Sequence, residues 1–193
     1  HCDKDLVRMC AGSSADVAEQ ANKLVNRYDF CKYVYTDTRG YPWSRSKALN
    51  IGGRLANSDF LMTTDIDMIF PSDFLEILLS HTQNNKVIYC YPHFLPEGFN
   101  EWKAVGKFKG KLPTGTKDSK GGCQCLPLSV FQEIQGFDEY YRHWGSEDSD
   151  MAGRLLLYGL EEKWLNPEVC IFHQWHREKN FLTSGFFPEG FWI

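Results

Sequence analysis

Three short stretches hold the residue types that do chemistry. The first is "FLMTTDIDMIF" (60–70), where an apolar run stops at Asp65 and Asp67. Side chains at i and i+2 of extended backbone point the same way. Two carboxylates on one side of a strand end repel unless a cation lies between them, and oxygen ligands suit magnesium or manganese. A pair of solvated turn aspartates is the plain alternative, and the apolar run just before them weakens it. The second stretch is "RHWGSEDSDM" (142–151). Ser146 reads as the cap of a helix whose first turn holds Glu147, Asp148 and Asp150. Taken alone, that is ordinary helix-start chemistry. The same position lowers a carboxylate pKa and so keeps a general base ionised. Trp144 and Gly145 add a flat apolar face, on which a sugar stacks through its C–H surface, and a close backbone approach. The third stretch is "IFHQWH" (171–176). His173 and His176 follow a strand-like run there, and imidazole can complete a metal shell that carboxylates begin.

Other motifs fail or stay open. An EF-hand starting at Asp65 would need glycine where Phe70 stands. Neither a phosphate-binding P-loop nor G-x-S-x-G occurs in the chain. A phosphatase that begins with D-x-D, with Asp65 as nucleophile and Asp67 as acid, stays open on these residues alone.

The elements that must position these residues alternate in period. Strand-like runs fall at 5–10, 32–36, 59–64 and 86–91, and helical runs at 15–28 and 44–57. Ser13 or Ser14 reads as the cap of the first helix. Pro71 opens a helix that continues over 72–82. After "CQCLPL" come a short helix near 129–134, a G-F-D-E turn, a helix from about 147 and a strand near 168–173. Between them, residues 92–120 hold proline, glycine and six lysines with little periodicity, and read as a mobile loop. Strand–helix alternation predicts an α/β layer with a mostly parallel sheet flanked by helices. Ligands in such sheets bind beyond the carboxyl ends of strands. Asp65 and Asp67 fall at such an end.

Bulk properties narrow the function. The 193 residues suit a single domain, 1–193, with an aromatic C-terminal tail over 177–193. A net charge of −4 gives no broad basic face, so nucleic acid is not the expected partner. No apolar run approaches the roughly 18 residues of a membrane span. Seven scattered cysteines, with no C-x-x-C, read mainly as free thiols and favour a reducing, cytoplasmic compartment.

The ordered set of D-x-D, Gly121-Gly122 before a strand, "GFDE", "WGSED" and "HQWH" resembles the metal-dependent GT-A fold glycosyltransferases. The likeness is to the large inverting family 2 transferases, the animal galactosyltransferases and chondroitin polymerase. The block "PWSRSKALNIGGRLANSDFLMTTDIDMIFPSDFLE" (42–76) is similar to theirs almost throughout. The resemblance implies a GT-A-like (Rossmann-like) fold. It also implies a Mn2+ (or Mg2+) ion, a nucleotide-diphosphate sugar donor with a UDP-sugar favoured, and a glycan or other hydroxyl acceptor. Asp67 and Asp65 would bind the metal, Asp67 directly and Asp65 also on the donor side, and His173 or His176 would complete the shell. Arg45, Asn50, Gly121 and Gly122 would line the donor pocket. Trp144, Gly145, Glu147 and Asp148 would form the acceptor site, with Asp148 as catalytic base beside Glu147. In-line displacement with a single base implies inversion at the anomeric carbon. Only "HCDK" precedes the 5–10 strand, where the family opens with a further strand and helix, so the chain reads as N-terminally shortened. A degenerate relative that only binds carbohydrate or nucleotide is the non-enzyme alternative. The aromatic tail leaves acceptor contacts, core packing and an oligomer all open.

Overall fold

The computed structural model describes residues 6–9, 15–36, 42, 44–99, 119–142 and 145–176. Trp144, the Ser13/Ser14 cap, most of the lysine-rich loop and the 177–193 tail lie outside the described residues.

The chain begins with β1 (Leu6–Met9), α1 (Ala15–Val25) and β2 (Cys31–Val34), and the two strands pair in parallel. Next come α2 (Arg45–Leu55), β3 (Phe60–Thr64), β4 (Met68–Ile69), α3 (Phe74–His81), β5 (Lys86–Tyr89) and β6 (Pro92–Phe94). The last part holds β7 (Cys123–Pro127), α4 (Leu128–Glu133), α5 (Glu147–Tyr158), β8 (Glu161–Trp164) and β9 (Ile171–His173).

Local chemistry explains several boundaries. The Ser44 hydroxyl accepts from the Lys47 N–H and caps α2. The buried face of α2 carries Ser46, Asn50 and Gly53, small or fully bonded residues that let the helix approach α4 closely. A Cβ on Gly53 would lie 2.3 Å from the Phe131 ring. The helix expected over 72–82 starts two residues later. The Pro71 carbonyl accepts from Phe74 N–H, so proline closes a turn ahead of the helix instead of entering it. α5 ends at Gly159, whose φ of +107° is cheap only for glycine.

The sheets are mixed. A four-stranded sheet runs β3-β7-β5-β8, and a three-stranded one runs β4-β9-β6. β5–β8 and β6–β9 are parallel, as strand–helix alternation predicts. β7 runs antiparallel to both β3 and β5, and β4 antiparallel to β9. A parallel neighbour needs a crossover element. The sequence between β5 and β7 has no helical period, and β7 returns antiparallel. β6 occupies the start of the segment read as a loop, and β8 and β4 have no counterpart in the sequence reading.

β5 and β7 are buried on both faces and divide the core by alternation. Ile88, Cys90, Cys123 and Cys125 pack with Phe74, Leu78 and Ile171 on one face. Val87, Tyr89 and Leu126 pack with Phe131, Met151 and Leu155 on the other. Cys31, Cys90, Cys123, Cys125 and Cys170 are free thiols. No helix among the described residues is long and apolar enough to cross a membrane.

Candidate metal and transfer site

β3 carries its last residues to the edge where three other segments meet. Thr64 fixes that end by donating its hydroxyl proton to the Gly122 carbonyl at 2.8 Å. Beyond it the two aspartates diverge into two corners.

Asp67 faces the histidines. β4 follows it directly, and Met68 pairs with His173 across the β4–β9 ladder. The Gln174 N–H donates to the Asp67 carbonyl at 2.9 Å, which extends that ladder by one bond. Asp67 Oδ2 consequently stands 3.3 Å from Nε2 of His173 and 3.3 Å from Nε2 of His176. The three ligand atoms all lie within 4.8 Å of one another. Asp67 Oδ1 is buried and has no hydrogen-bond partner. An orphaned carboxylate oxygen beside two imidazoles fits a divalent cation, because a buried polar atom without a partner is otherwise costly.

Asp65 does not join that group. Its Oδ1 accepts from Arg45 Nε at 2.8 Å. Burial raises its pKa above the ordinary aspartate range, the Arg45 charge and hydrogen bond oppose the rise, and Asp67 adds to it. Asp65 is thus a neighbour of the metal corner and not one of its three clustered ligands.

The helix corner is built around the same arginine. Arg45 Nη2 donates to the Gly121 carbonyl at 2.8 Å, and Nη1 lies 3.4 Å from Glu147 Oε1. Glu147 is buried, whereas Asp148, the next residue of α5, is half-buried. Asp148 Oδ1 accepts from Ser149 N–H. Its Oδ2 lies against Gly121, where a Cβ would come within 2.8 Å of it. The absence of a side chain at 121 is what admits the carboxylate. Ser146 stands at the N-cap of α5 as expected, but with φ of +73° and no side-chain cap bond. It turns the chain and leaves the helix end uncapped by its hydroxyl. Gly145, with φ of +113°, shares that turn.

Two of the expected donor-pocket residues have other partners. Asn50 is buried. Its amide donates to the Phe137 carbonyl at 2.8 Å and to Glu139 Oε1 at 3.0 Å, and its Oδ1 accepts from Phe137 N–H at 2.8 Å. It pins the G-F-D-E turn, and its amide and carbonyl are both engaged there. Gly122 backs onto the Pro92 ring, which a Cβ would meet at 2.7 Å. Arg154 secures the same turn from α5 by donating to the Ile134 and Gly136 carbonyls and pairing with Asp150.

Sequence reasoning missed a polar group beside Asp148. Lys120 pairs with Glu162 and stands 5.0 Å over the Tyr89 ring. Burial pushes the Tyr89 hydroxyl pKa well up, the Gln124 amide bond opposes this, and the charges of Glu162 and Asp148 add to it. Glu162 lies on β8, and no signal in the sequence connects that strand to Lys120.

Comparison with known proteins identifies the family and the fold. A family profile described as Glycosyl transferase family 2 matches residues 9–134, and one described as N-terminal domain of galactosyltransferase matches residues 104–178. Chondroitin sulfate N-acetylgalactosaminyltransferase 1 of Mus musculus is 27% identical over 175 residues, which cover 84% of this chain and 32% of that protein. The chain thus spans about a third of that relative's length. A mannosyltransferase from Pyrobaculum calidifontis, solved with GDP-Man and Mn2+, superposes with a TM-score of 0.60 at 18% identity, covering 88% of this chain and 47% of the other. A Drosophila β1,4-galactosyltransferase 7 complex with manganese, UDP-Gal and xylobiose gives 0.56 at 13% identity, covering 89% and 71%. These structures share the GT-A fold with this chain. The family 2 match alone spans well over half of the 193 residues, and the chain belongs to glycosyl transferase family 2.

Proposed function

We propose that this domain transfers a sugar from a nucleotide-diphosphate donor to an acceptor hydroxyl, with inversion and with a divalent metal. The observation that carries the proposal is the Asp67–His173–His176 corner with its orphaned Oδ1, at the end of the strand whose Asp65 is linked through Arg45 to the helix bearing Asp148. Asp67, His173 and His176 would hold the ion. One carboxylate and two imidazoles suit manganese better than magnesium, which prefers oxygen ligands alone. When bound, the ion offsets the charge that grows on the departing diphosphate.

The chain's own groups do the rest. Asp148 takes the proton of the acceptor hydroxyl. The acceptor oxygen forms its bond to the anomeric carbon as the bond from that carbon to the diphosphate oxygen breaks. The electron pair leaves with the diphosphate. Attack from the face opposite the leaving group inverts the centre. Trp144, by resemblance, offers the acceptor its stacking face, and a UDP-sugar is the favoured donor. The matches of the N-acetylgalactosaminyl- and galactosyltransferases to this chain support the transferase reading, and UDP-Gal in a structural neighbour supports the choice of donor.

A screen of nucleotide sugars for manganese-dependent donor hydrolysis, together with calorimetry of UDP with and without manganese, tests the reading. Metal-dependent UDP binding and turnover of one donor are expected. Asp148→Asn should keep that binding and lose transfer. Absence of metal-dependent binding of any nucleotide diphosphate would leave the transferase reading without support. Unchanged transfer in Asp148→Asn would remove the base assignment.

A further inference from the structure

Arg45 joins three segments that are far apart in sequence. It stands in the first turn of α2, its side chain is 13% exposed, and its nitrogens point in three directions. Nε holds Asp65 beyond the end of β3, Nη2 holds the Gly121 carbonyl ahead of β7, and Nη1 faces Glu147 at the start of α5. A Cβ placed on Gly121 would lie 2.8 Å from Asp148 Oδ2 and 3.8 Å from Arg45 Nη2. The Asp148 carboxylate and the guanidinium therefore flank the same point of backbone. Successive helical residues point about 100° apart, from about 3.6 residues per turn. With Glu147 turned inward to Arg45, Asp148 is turned toward the Gly121 wall. Arg45 holds both that wall and, through Glu147, the helix.

We propose, on the basis of the transferase reading above, that Arg45 and Glu147 are positioning residues for Asp148 and not ligands of donor or acceptor. Glu147 serves the acceptor site by anchoring the helix start to Arg45. Arg45 fixes the separation between the D-x-D strand end and the base. This differs from the resemblance, which places Arg45 on the donor and Glu147 on the acceptor. Two observations favour the new assignment: Glu147 is 7% exposed, and each of the three named Arg45 nitrogens already faces a protein oxygen.

The test uses Glu147→Gln, Arg45→Lys and the double variant, each checked for its far-ultraviolet spectrum and melting temperature. Displacing a base costs about 10- to 100-fold in kcat. Each single variant should show that loss, with acceptor KM and UDP affinity kept within about twofold, since binding contacts are untouched. The double variant should be no slower than Arg45→Lys alone, because both changes break one linkage. Raised acceptor KM with kcat retained in Glu147→Gln would overturn the proposal by showing that Glu147 touches acceptor. Loss of UDP affinity in Arg45→Lys would overturn it from the donor side. Melting temperatures give an arm that needs no activity: the linkage predicts that the double variant loses less than the sum of the singles, and strict additivity would overturn it. A parent enzyme that transfers nothing would sink the transferase reading, while the melting cycle would still decide whether the two residues act as a unit.

Discussion

The two corners at the end of β3 differ in how fully the protein satisfies them. At the helix corner Arg45, Asp65, Glu147 and the Gly121 carbonyl complete one another's hydrogen bonds. At the metal corner Asp67 keeps a buried oxygen with no partner, and two imidazoles face the same carboxylate at 3.3 Å. The first corner is built to hold its shape unaided. The second is under-satisfied, as a ligand site must be if binding is to improve it. Substitutions at the first should therefore cost stability, and substitutions at the second should cost binding.

The largest effect expected is on the first corner. Arg45→Met leaves Glu147 buried without its cation, and breaking a buried pair from one side costs about 3 kcal/mol or more. Chemical denaturation measures it, and a loss below about 1 kcal/mol would erase the contrast between the corners. Next is the metal corner in the parent protein. Manganese at a hundred times its dissociation constant should raise stability by about 2.7 kcal/mol. His173→Ala should abolish that rise while changing the metal-free stability by about 1 kcal/mol or less. A large metal-free loss in His173→Ala would make the histidine a structural residue.

Gly136→Ala comes third, at about 1–3 kcal/mol. Its φ is +71°, and the added Cβ would lie 2.4 Å from Asn50 Oδ1, which holds the G-F-D-E turn. At neutral pH the smallest effect is that of the core thiols, whose contribution appears as a slope only in alkali. Burial pushes Cys90 and Cys125 up to about 12 from the ordinary 9.0. Between those values the folded chain holds protons that the unfolded chain has released. Stability is therefore intact below about pH 9 and falls as pH rises toward about 12, by up to about 1.4 kcal/mol per pH unit for each thiol. Cys90→Ala and Cys125→Ala should each flatten that slope in denaturation at stepped pH.

The sequence was most informative where a single local pattern decides the outcome. β3 follows from an apolar run and α5 from the spacing of Met151, Ala152 and Leu155, and the D-x-D pair sits at the strand end that the first of these defines. The division of labour between Asp65 and Asp67 was not legible, since it depends on Arg45 arriving from another element. The partners of Asn50 were hidden for the same reason. An asparagine in a pocket-like block and one that bonds a distant turn have identical local sequence. β4 escaped because two residues carry no period, and β8 because Glu161, Glu162 and Lys163 give it no apolar run to read. β7 gave its strand character but not its direction, which its neighbours β3 and β5 determine. The Ser146 cap failed because backbone handedness is not written in a serine.

β9 is the middle strand of its sheet, bonded to β4 on one side and β6 on the other. Successive residues of a strand face opposite ways, so a one-residue insertion within Ile171–His173 would turn His173 away from Asp67, and neither neighbour leaves room for a bulge to absorb it. Two inserted residues would restore the facing but displace the ligand by about 6.8 Å. Length changes near this corner are therefore tolerable only in the connections on either side of the strand, and the spacing within it is fixed by the pairing.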